Sequence, residues 1–413
     1  MRNKDFKRKL ESLFGKKAVF SEDILAYYNR DSSAKEKLFK SKPLAVVYPE
    51  EIAEVVELVK LALSYNQPLV PSGGRTGTVC GAVDVKGKEV IVSFEKMNKI
   101  IEINTAEKTV KAQAGVVLQR LQEEVLKYNL FFPIDIASKG SCQVGGIIST
   151  NAGGIHVLRW GLTRDWTASL TVVTGKAEVL TTGKVLRKDR SGYDLKELFI
   201  GAEGTLGFIV EAVFWLTDLP PPLLTIAFSV KDAKAILAVK NFLEKKVYNP
   251  FFYFEFFDNL CYEKVLNHTS LNRPFSSSWP YYCVIQVEEE KEDLFVKYFS
   301  YLMQQGIVAD CIFAQSTKQA GDLCQLRERI GEVLTRHYAP QKYDVAVPPS
   351  KIPLLIGEIK QVAKNSSMPP ITVFGHIADG NLHLNMLLKE SSINATDKEL
   401  DKWDKEIYKI VLK

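Results

Sequence analysis

The sequence predicts an α+β protein built as two domains. Three observations carry that prediction. The chain has 413 residues, more than one hydrophobic core organises. Pro220, Pro221 and Pro222 stand in a row, and three prolines can continue neither a helix nor a central strand, so the run marks a junction. On both sides of it, strand-length apolar runs alternate with stretches of helical period. The domains are therefore drawn at 1–217 and 218–413. Hydrophobic residues make up 46% and charged residues 25% of the chain, the balance of a globular protein and not of a disordered or collagen-like one. Net charge is 54 − 49 = +5, mild and dispersed, which leaves no basic footprint for nucleic acid. No apolar run reaches the roughly 18 residues that a membrane-spanning helix needs.

The elements follow in order. Residues 44–48 read as a buried strand. Pro49, Glu50 and Glu51 then open a helix, with acids where the helix dipole favours them. Ile52, Val55, Val56, Val59 and Leu63 recur at helical spacing and define its buried face. Leu69 and Val70 begin the next strand, which runs into a glycine-rich loop. Beyond the junction, strands are expected over 223–230, 252–256, 282–287 and 307–313. Helices over 233–245 and 291–305 lie between them. That order suggests a sheet covered by helices on one face, and nothing in this stretch reads as chemistry. The six cysteines form no CxxC pair, which argues against zinc-thiolate and iron–sulfur modules. The first 17 residues carry acids and lack an apolar core, so a cytoplasmic setting is expected.

Three glycine-rich segments fall inside the first domain. The first, Pro71-Ser72-Gly73-Gly74-Arg75-Thr76-Gly77 with Gly81, follows a strand as a phosphate-binding loop should. It matches neither GxGxxG nor GxxxxGK[ST], and a glycine-rich hairpin is the alternative. The second runs from Ser138 through Gly140, Ser141, Gly145, Gly146, Thr150 and Asn151 to Gly153 and Gly154. The third is Gly201-Ala-Glu203-Gly204-Thr-Leu-Gly207. Together they suggest backbone lining a long, flat, polyanionic cofactor.

The second domain holds a histidine pair in Gly375-His376-Ile-Ala-Asp379-Gly380-Asn-Leu-His383. Asp379-Gly380 signals a two-residue hairpin turn. Such a turn sets His376 directly opposite His383, with Phe374 and Asn385 as the next pair, and opposed Cβ atoms lie roughly 4.5–5.5 Å apart. Two imidazoles so placed can share a divalent metal; two half-exposed hairpin histidines are the alternative. Arg327 is read as opening a helical stretch. Lys342 precedes a strand-like run, and on residues alone both are ordinary surface cations.

The motifs PSGGRTG, GG-x3-TNAGG, GYDL followed by GAEGTLG, and GHxxDGNLH resemble the FAD-linked D-2-hydroxyacid dehydrogenases. These form a branch of the vanillyl-alcohol-oxidase-type flavoproteins that includes D-lactate and D-2-hydroxyglutarate dehydrogenases and the glycolate oxidase FAD subunit. The resemblance runs from about residue 43 to about residue 385. It implies a two-subdomain FAD-binding domain followed by an α+β cap domain with a helix-covered antiparallel sheet. It implies that Pro71 to Gly77 and Gly81 hold the FAD pyrophosphate. Pro133, Asp135, Gly140, Ser141, Gly145, Gly146, Thr150, Asn151, Gly153 and Gly154 would surround the flavin, and Glu203, Gly204 and Ile209 would lie nearer the other end of the cofactor. The first loop contains no histidine, so FAD is expected to be non-covalent. His156, just after TNAGG, is read as making an ordinary loop hydrogen bond.

The resemblance further implies that Arg327 and Lys342 bind the substrate carboxylate, and that Asn385 lies near the substrate. His376 and His383 would hold a zinc-like divalent metal. Gly331 stands where the family has a further hydroxyl contact. The reaction implied is oxidation of a small D-2-hydroxy acid to its 2-oxo acid by hydride transfer to flavin N5. An electron-transfer flavoprotein, a quinone or a partner subunit is open as electron acceptor, and a homodimer is compatible with the reading. In the family a Glu-His-Gly motif follows the hairpin and supplies a third metal ligand, whereas this sequence stops at Lys413. Weak metal binding and slow turnover are expected on that ground, and an FAD-carrying subunit with little turnover of its own is the alternative function.

Overall fold

The computed structural model describes residues 2–33, 41–390 and 396–413. The chain forms two compact units: Met1–Gly154 with Trp160–Leu219, and Ile155–Arg159 with Pro220–Lys413. No helix among the described residues is long and apolar enough to cross a membrane.

The first unit holds two main sheets. In the smaller, strands Ala45–Val47, Val90–Ser93 and Leu69–Ser72 are parallel, and Ala18–Val19 pairs antiparallel at the edge. Parallel strands need a crossover, and helix Ile52–Tyr65 supplies the one from Ala45–Val47 to Leu69–Ser72, which flank Val90–Ser93. The helix buries Val55, Leu58, Val59 and Ala62. Leu63, expected on that face, is 56% exposed, because the stripe follows 55–58–59–62 and leaves position 63 on its solvent edge. Asn66 ends the helix in the left-handed conformation. The second sheet is antiparallel, in the order Ile100–Asn104, Thr109–Gln113, Gly207–Trp215, Thr167–Thr174, Val179–Thr182. Its core joins Val110, Leu170, Val172 and Phe214 to helices Leu118–Leu126 and Val144–Ser149.

The second unit is built on one seven-stranded antiparallel sheet. Its order is Asp310–Phe313, Leu223–Val230, Tyr281–Glu288, Tyr253–Asp258, Ile371–His376, Asn381–Leu387, Pro340–Ala346. Helices cover both faces, not one. Ala233–Lys246, Glu292–Gln304, Ile352–Asn365 and Asp397–Val411 pack on the first face, around Phe228, Phe254 and Phe256. Asn259–His268, Thr317–Glu328 and Ile330–Tyr338 pack on the second, around Tyr253, Phe257 and Tyr282. All six residues of Tyr253–Asp258 are buried, which an antiparallel strand with one wet face would not allow.

Phe228 is fully buried against the rings of Phe254 and Phe299. Phe228→Ala is expected to destabilise the second unit by about 3–5 kcal/mol. Urea unfolding followed by tryptophan fluorescence measures this. A loss below about 1 kcal/mol would show that the ring is not part of a tightly packed core.

Candidate active site

The first unit gathers its three glycine segments into one place. Strand Leu69–Ser72 delivers Gly73 and Gly74 to the second segment. A Cβ on Gly73 would lie 3.4 Å from Gln143 Oε1, and one on Gly74 would lie 2.1 Å from the Ser141 carbonyl oxygen. The third segment is tied to the second by Gly201 N–H donating to Ile148 O (3.0 Å) and Glu203 N–H to Ser149 O (2.9 Å). It also reaches the first, since a Cβ on Gly204 would lie 2.3 Å from Pro71 Cγ and one on Gly81 3.6 Å from Glu203 Oε2. Gly154, at φ +100°, is pressed against Asp135 O, and Gly145 against Ala114. Thr150 Oγ1 donates to Gly146 O, and Asn151 Oδ1 accepts from Arg164 N–H. Gly140 lies near the Gln119 amide, and the guanidinium of Arg75 stacks on Tyr27 and Tyr28. The side chain of Ile209 is buried in the core of the five-stranded sheet, and Pro133 is also buried.

Two observations are consistent with FAD in this cradle. Among the described residues, Ser72 Oγ and Gln143 Oε1 are buried without a hydrogen-bond partner, and such groups call for one. At Gly77 and Gly146 a Cβ would meet nothing within 4 Å among the described residues. Gln143 was not singled out from the sequence. Its place within the second glycine segment was the available signal.

The second unit presents a cluster of charge on the second face of its sheet. Glu255, in the middle of strand Tyr253–Asp258, is 0% exposed. Its Oε2 lies 2.7 Å from Arg327 Nε, and its Oε1 contacts His376 Nδ1. Among the described residues neither oxygen, nor Arg327 Nε, makes a hydrogen bond of good geometry, so these are close ion contacts and not aligned hydrogen bonds. Arg327 is 8% exposed and stacks on the ring of Phe374. It closes helix Thr317–Glu328 and does not open a helix as expected; the next one begins at Ile330. Lys342 lies within strand Pro340–Ala346, directly opposite Asn385, and Asp344 lies opposite His383. His156 bonds the Phe252 carbonyl oxygen through Nδ1 at 2.7 Å, an ordinary structural contact.

The hairpin register differs from the expected one. His376 pairs with Asn381, His383 with Phe374, and Asn385 with Thr372. The connection spans residues 377–380, where Asp379 and Gly380 N–H groups both donate to His376 O (3.1 Å each). The longer turn has two causes. Ile377 is fully buried in the core and is spent there instead of extending the ladder. Gly380, at φ +95°, accepts from Val347 N–H (3.0 Å), which fixes it against the neighbouring strand. Because the slip is two residues in all, side-chain parity survives. The two imidazoles remain on one face as diagonal neighbours, with ring centroids 5.6 Å apart.

The electrostatics separate the groups. Burial pushes the Glu255 carboxyl up, but Arg327 and the two histidines together hold it below the ordinary carboxylate value. Burial pulls His376 down, and Glu255 outweighs it, so His376 titrates above an ordinary imidazole. Burial and the positive charge of Arg327 drive His383 down to about 4, which keeps it neutral at pH 7. Lys342 is lowered by desolvation. A face with Arg327 and His376 around one carboxylate, and Lys342 on a strand of the same sheet, is suited to an organic anion. Glu255 escaped the sequence reading, although an isolated acid inside Phe251-Phe-Tyr-Phe-Glu-Phe-Phe257 is itself the signal of a compensated buried charge. For metal, the two imidazoles have a workable separation. Among the described residues, however, no three His, Cys, Asp or Glu side chains are grouped to hold an ion.

The glycines of the cradle divide into two kinds with different expected phenotypes. Gly74→Ala must displace the backbone of Ser141, so it should destabilise the first unit with or without FAD. The steric reason is a protein–protein contact and not, as a phosphate-loop reading would have it, obstruction of the cofactor. Gly146→Ala meets no protein atom, so it should leave the FAD-free protein as stable as the parent and weaken FAD binding. Thermal melts of FAD-free and FAD-loaded protein compare the two. Equal behaviour of the two variants would remove the distinction.

Comparisons with known proteins agree with both halves of this description. Residues 43–183 match the FAD binding domain, and residues 223–413 match the C-terminal domain of FAD linked oxidases. The chain is 40% identical over 376 residues to the D-2-hydroxyglutarate dehydrogenase of Stutzerimonas stutzeri, covering 90% of this chain and 79% of that one. It is 39% identical to the enzyme of the same name from Xanthomonas citri pv. viticola, with 90% and 78% covered. Against the mitochondrial D-2-hydroxyglutarate dehydrogenase of Arabidopsis thaliana the identity is 33%, with 94% and 69% covered. Among solved structures, alkyldihydroxyacetonephosphate synthase superposes with a TM-score of 0.75 at 18% identity, covering 99% of this chain and 80% of that one. Substrate-bound p-cresol methylhydroxylase gives 0.73 at 15%, with 99% and 86% covered. At such identities the structures establish the fold, that of the vanillyl-alcohol-oxidase-type flavoproteins. With sequence identity of this extent running through both the glycine cradle and the charged sheet face, the chain belongs to the FAD-linked D-2-hydroxyacid dehydrogenase family.

Proposed function

We propose that this chain oxidises a D-2-hydroxy acid of the D-2-hydroxyglutarate class to its 2-oxo acid, with FAD as oxidant. The observation that carries the reading is the cationic sheet face of the second unit, where Arg327 and Lys342 stand with Asn385, His376 and His383. FAD held by the three glycine segments would supply the two-electron chemistry, taking hydride at N5. With its Nε 2.7 Å from Glu255 Oε2, Arg327 has two further, terminal nitrogens that can form a fork for a carboxylate. Lys342 adds a second positive charge and Asn385 a carboxamide on the same face. His383, neutral at pH 7, offers a hydrogen-bond acceptor to the α-hydroxyl. A divalent metal on His376 and His383 belongs to the reading only in part. Catalytic zinc usually takes three protein ligands, the described residues group two, and no step is assigned to it.

Anaerobic mixing with a panel of D- and L-2-hydroxy acids tests the reaction. D-2-Hydroxyglutarate is expected to bleach the flavin absorbance and its L-enantiomer to leave it unchanged. An FAD-loaded protein that no D-2-hydroxy acid bleaches is a carrier and not a dehydrogenase. Arg327→Lys keeps the charge and loses the fork, and should raise KM about tenfold or more; parental kinetics would mean the clamp lies elsewhere. Acid precipitation should release all the yellow colour into the supernatant, since no histidine stands in 71–81. Colour retained on the pellet would reveal a covalent link.

A further inference from the structure

The first half of the second unit contributes one ionisable group to the charged face, and the proposed reaction leaves it without a task. Glu255 comes from a strand that is buried throughout and lies at the centre of the sheet. Burying a carboxylate costs far more than burying the phenylalanines on either side of it. The charges around it are not generic. One is the guanidinium assigned to the substrate carboxylate, the other the imidazole beside it in the hairpin, and each meets a different oxygen of the same carboxylate.

The direction of each contact matters. Glu255 Oε2 lies 2.7 Å from Nε of Arg327, an ion contact without hydrogen-bond alignment, at the nitrogen that a bidentate carboxylate fork does not need when it uses the two terminal nitrogens. Glu255 Oε1 contacts Nδ1 of His376, which leaves the Nε2 edge of that ring turned away from Glu255. Phe374 closes the arrangement: the Arg327 guanidinium stacks on its ring at 4.6 Å, and the His383 ring lies 5.2 Å from it. Arg327 comes from a helix end and His376 from a strand end, two elements with no covalent reason to hold a fixed mutual geometry. A shared carboxylate gives them one.

We infer that Glu255 is a positioning residue, whose single buried carboxylate fixes the Arg327 guanidinium and the His376 imidazole in one relative orientation so that they receive the substrate as a unit. The inference rests on the clamp assigned to Arg327 above. It also opposes the simplest electrostatic expectation. A negative charge beside Arg327 weakens its attraction for an anion, so a Glu255 acting through charge alone would hinder binding. A positioning Glu255 assists it.

Calorimetric binding of 2-oxoglutarate to the oxidised FAD-loaded protein separates the two. Glu255→Gln preserves shape but offers one carbonyl oxygen to two cationic partners. It is expected to weaken binding about 10- to 100-fold, the range typical of groups that orient a site's own residues, and to raise KM by a similar factor. Glu255→Asp restores the charge one methylene short and is expected to recover part of the loss. In an Arg327→Gln background, adding Glu255→Gln is expected to cost little further affinity, because the residue acts through the arginine. Binding as tight as the parent or tighter in Glu255→Gln overturns the inference, as do losses that multiply in the double variant. If Glu255→Gln does not fold, parental affinity in Glu255→Asp overturns it. If Arg327→Gln alone leaves binding unchanged, the clamp itself is wrong. If Arg327→Gln weakens binding and Glu255→Gln does not, only the positioning role fails.

Discussion

A carboxylate removed from water must be surrounded by charges of the other sign, and in the second unit that requirement links elements far apart in sequence. Glu255 draws in Arg327 from the end of one helix and His376 from the end of a hairpin strand. Those contacts are feasible only because the sheet is buried on both sides, which puts Glu255 under helix Thr317–Glu328 and not under solvent. Removing one partner of such a group leaves an uncompensated charge in a dry place, at a typical cost of about 3–5 kcal/mol. Fold and site are therefore coupled: the ion contacts that arrange the cations are ones the packed second face cannot lose.

The first unit solves a different problem. A long polyanionic ligand has to be approached by backbone, and backbone is accessible only where side chains are missing. Some of its glycines serve the approach of one protein segment to another, as Gly74 does against Ser141 and Gly204 against Pro71. Others, Gly77 and Gly146, have room for a Cβ among the described residues. Buried Ser72 and Gln143 stand in the same segments with unused hydrogen-bonding capacity. Close packing of the three segments at some glycines and room at others coexist in one cradle.

Much of this was legible in the sequence, for identifiable reasons. The glycine segments were legible because their residue type is dictated by backbone geometry, and the strands over 223–230 and 282–287 because each is a nearly continuous apolar run. The histidine pair was legible as to face but not as to register. Asp-Gly is a strong turn signal, yet the turn also had to bury Ile377 and meet Val347, and neither constraint is local. The second helical layer was missed because a run such as Tyr-Phe-Glu-Phe-Phe-Asp does not say whether one face or two are covered. Glu255 was missed because its meaning depends on Arg327, 72 positions later, and His376, 121 positions later. A sequence records that an acid sits among phenylalanines; only the fold supplies the partners.

The neighbouring histidines show how finely the fold divides one residue type. Both lie on one face with ring centroids 5.6 Å apart, yet one is driven up and the other down in proton affinity. The difference follows from placement. Glu255 directly contacts His376, whereas the nearest carboxylate oxygen to His383 is that of Asp344 at 3.7 Å, itself accepting from Asn381 Nδ2. Between them the two rings give the face one imidazole that tends toward the charged form and one that stays neutral at pH 7. On the reading proposed above, the first adds to the positive charge of Arg327 and Lys342 that would meet a substrate carboxylate. The second adds a hydrogen-bond acceptor without adding charge. An anion carrying a hydroxyl group beside its carboxylate needs both properties side by side, and the diagonal register of the hairpin keeps them adjacent.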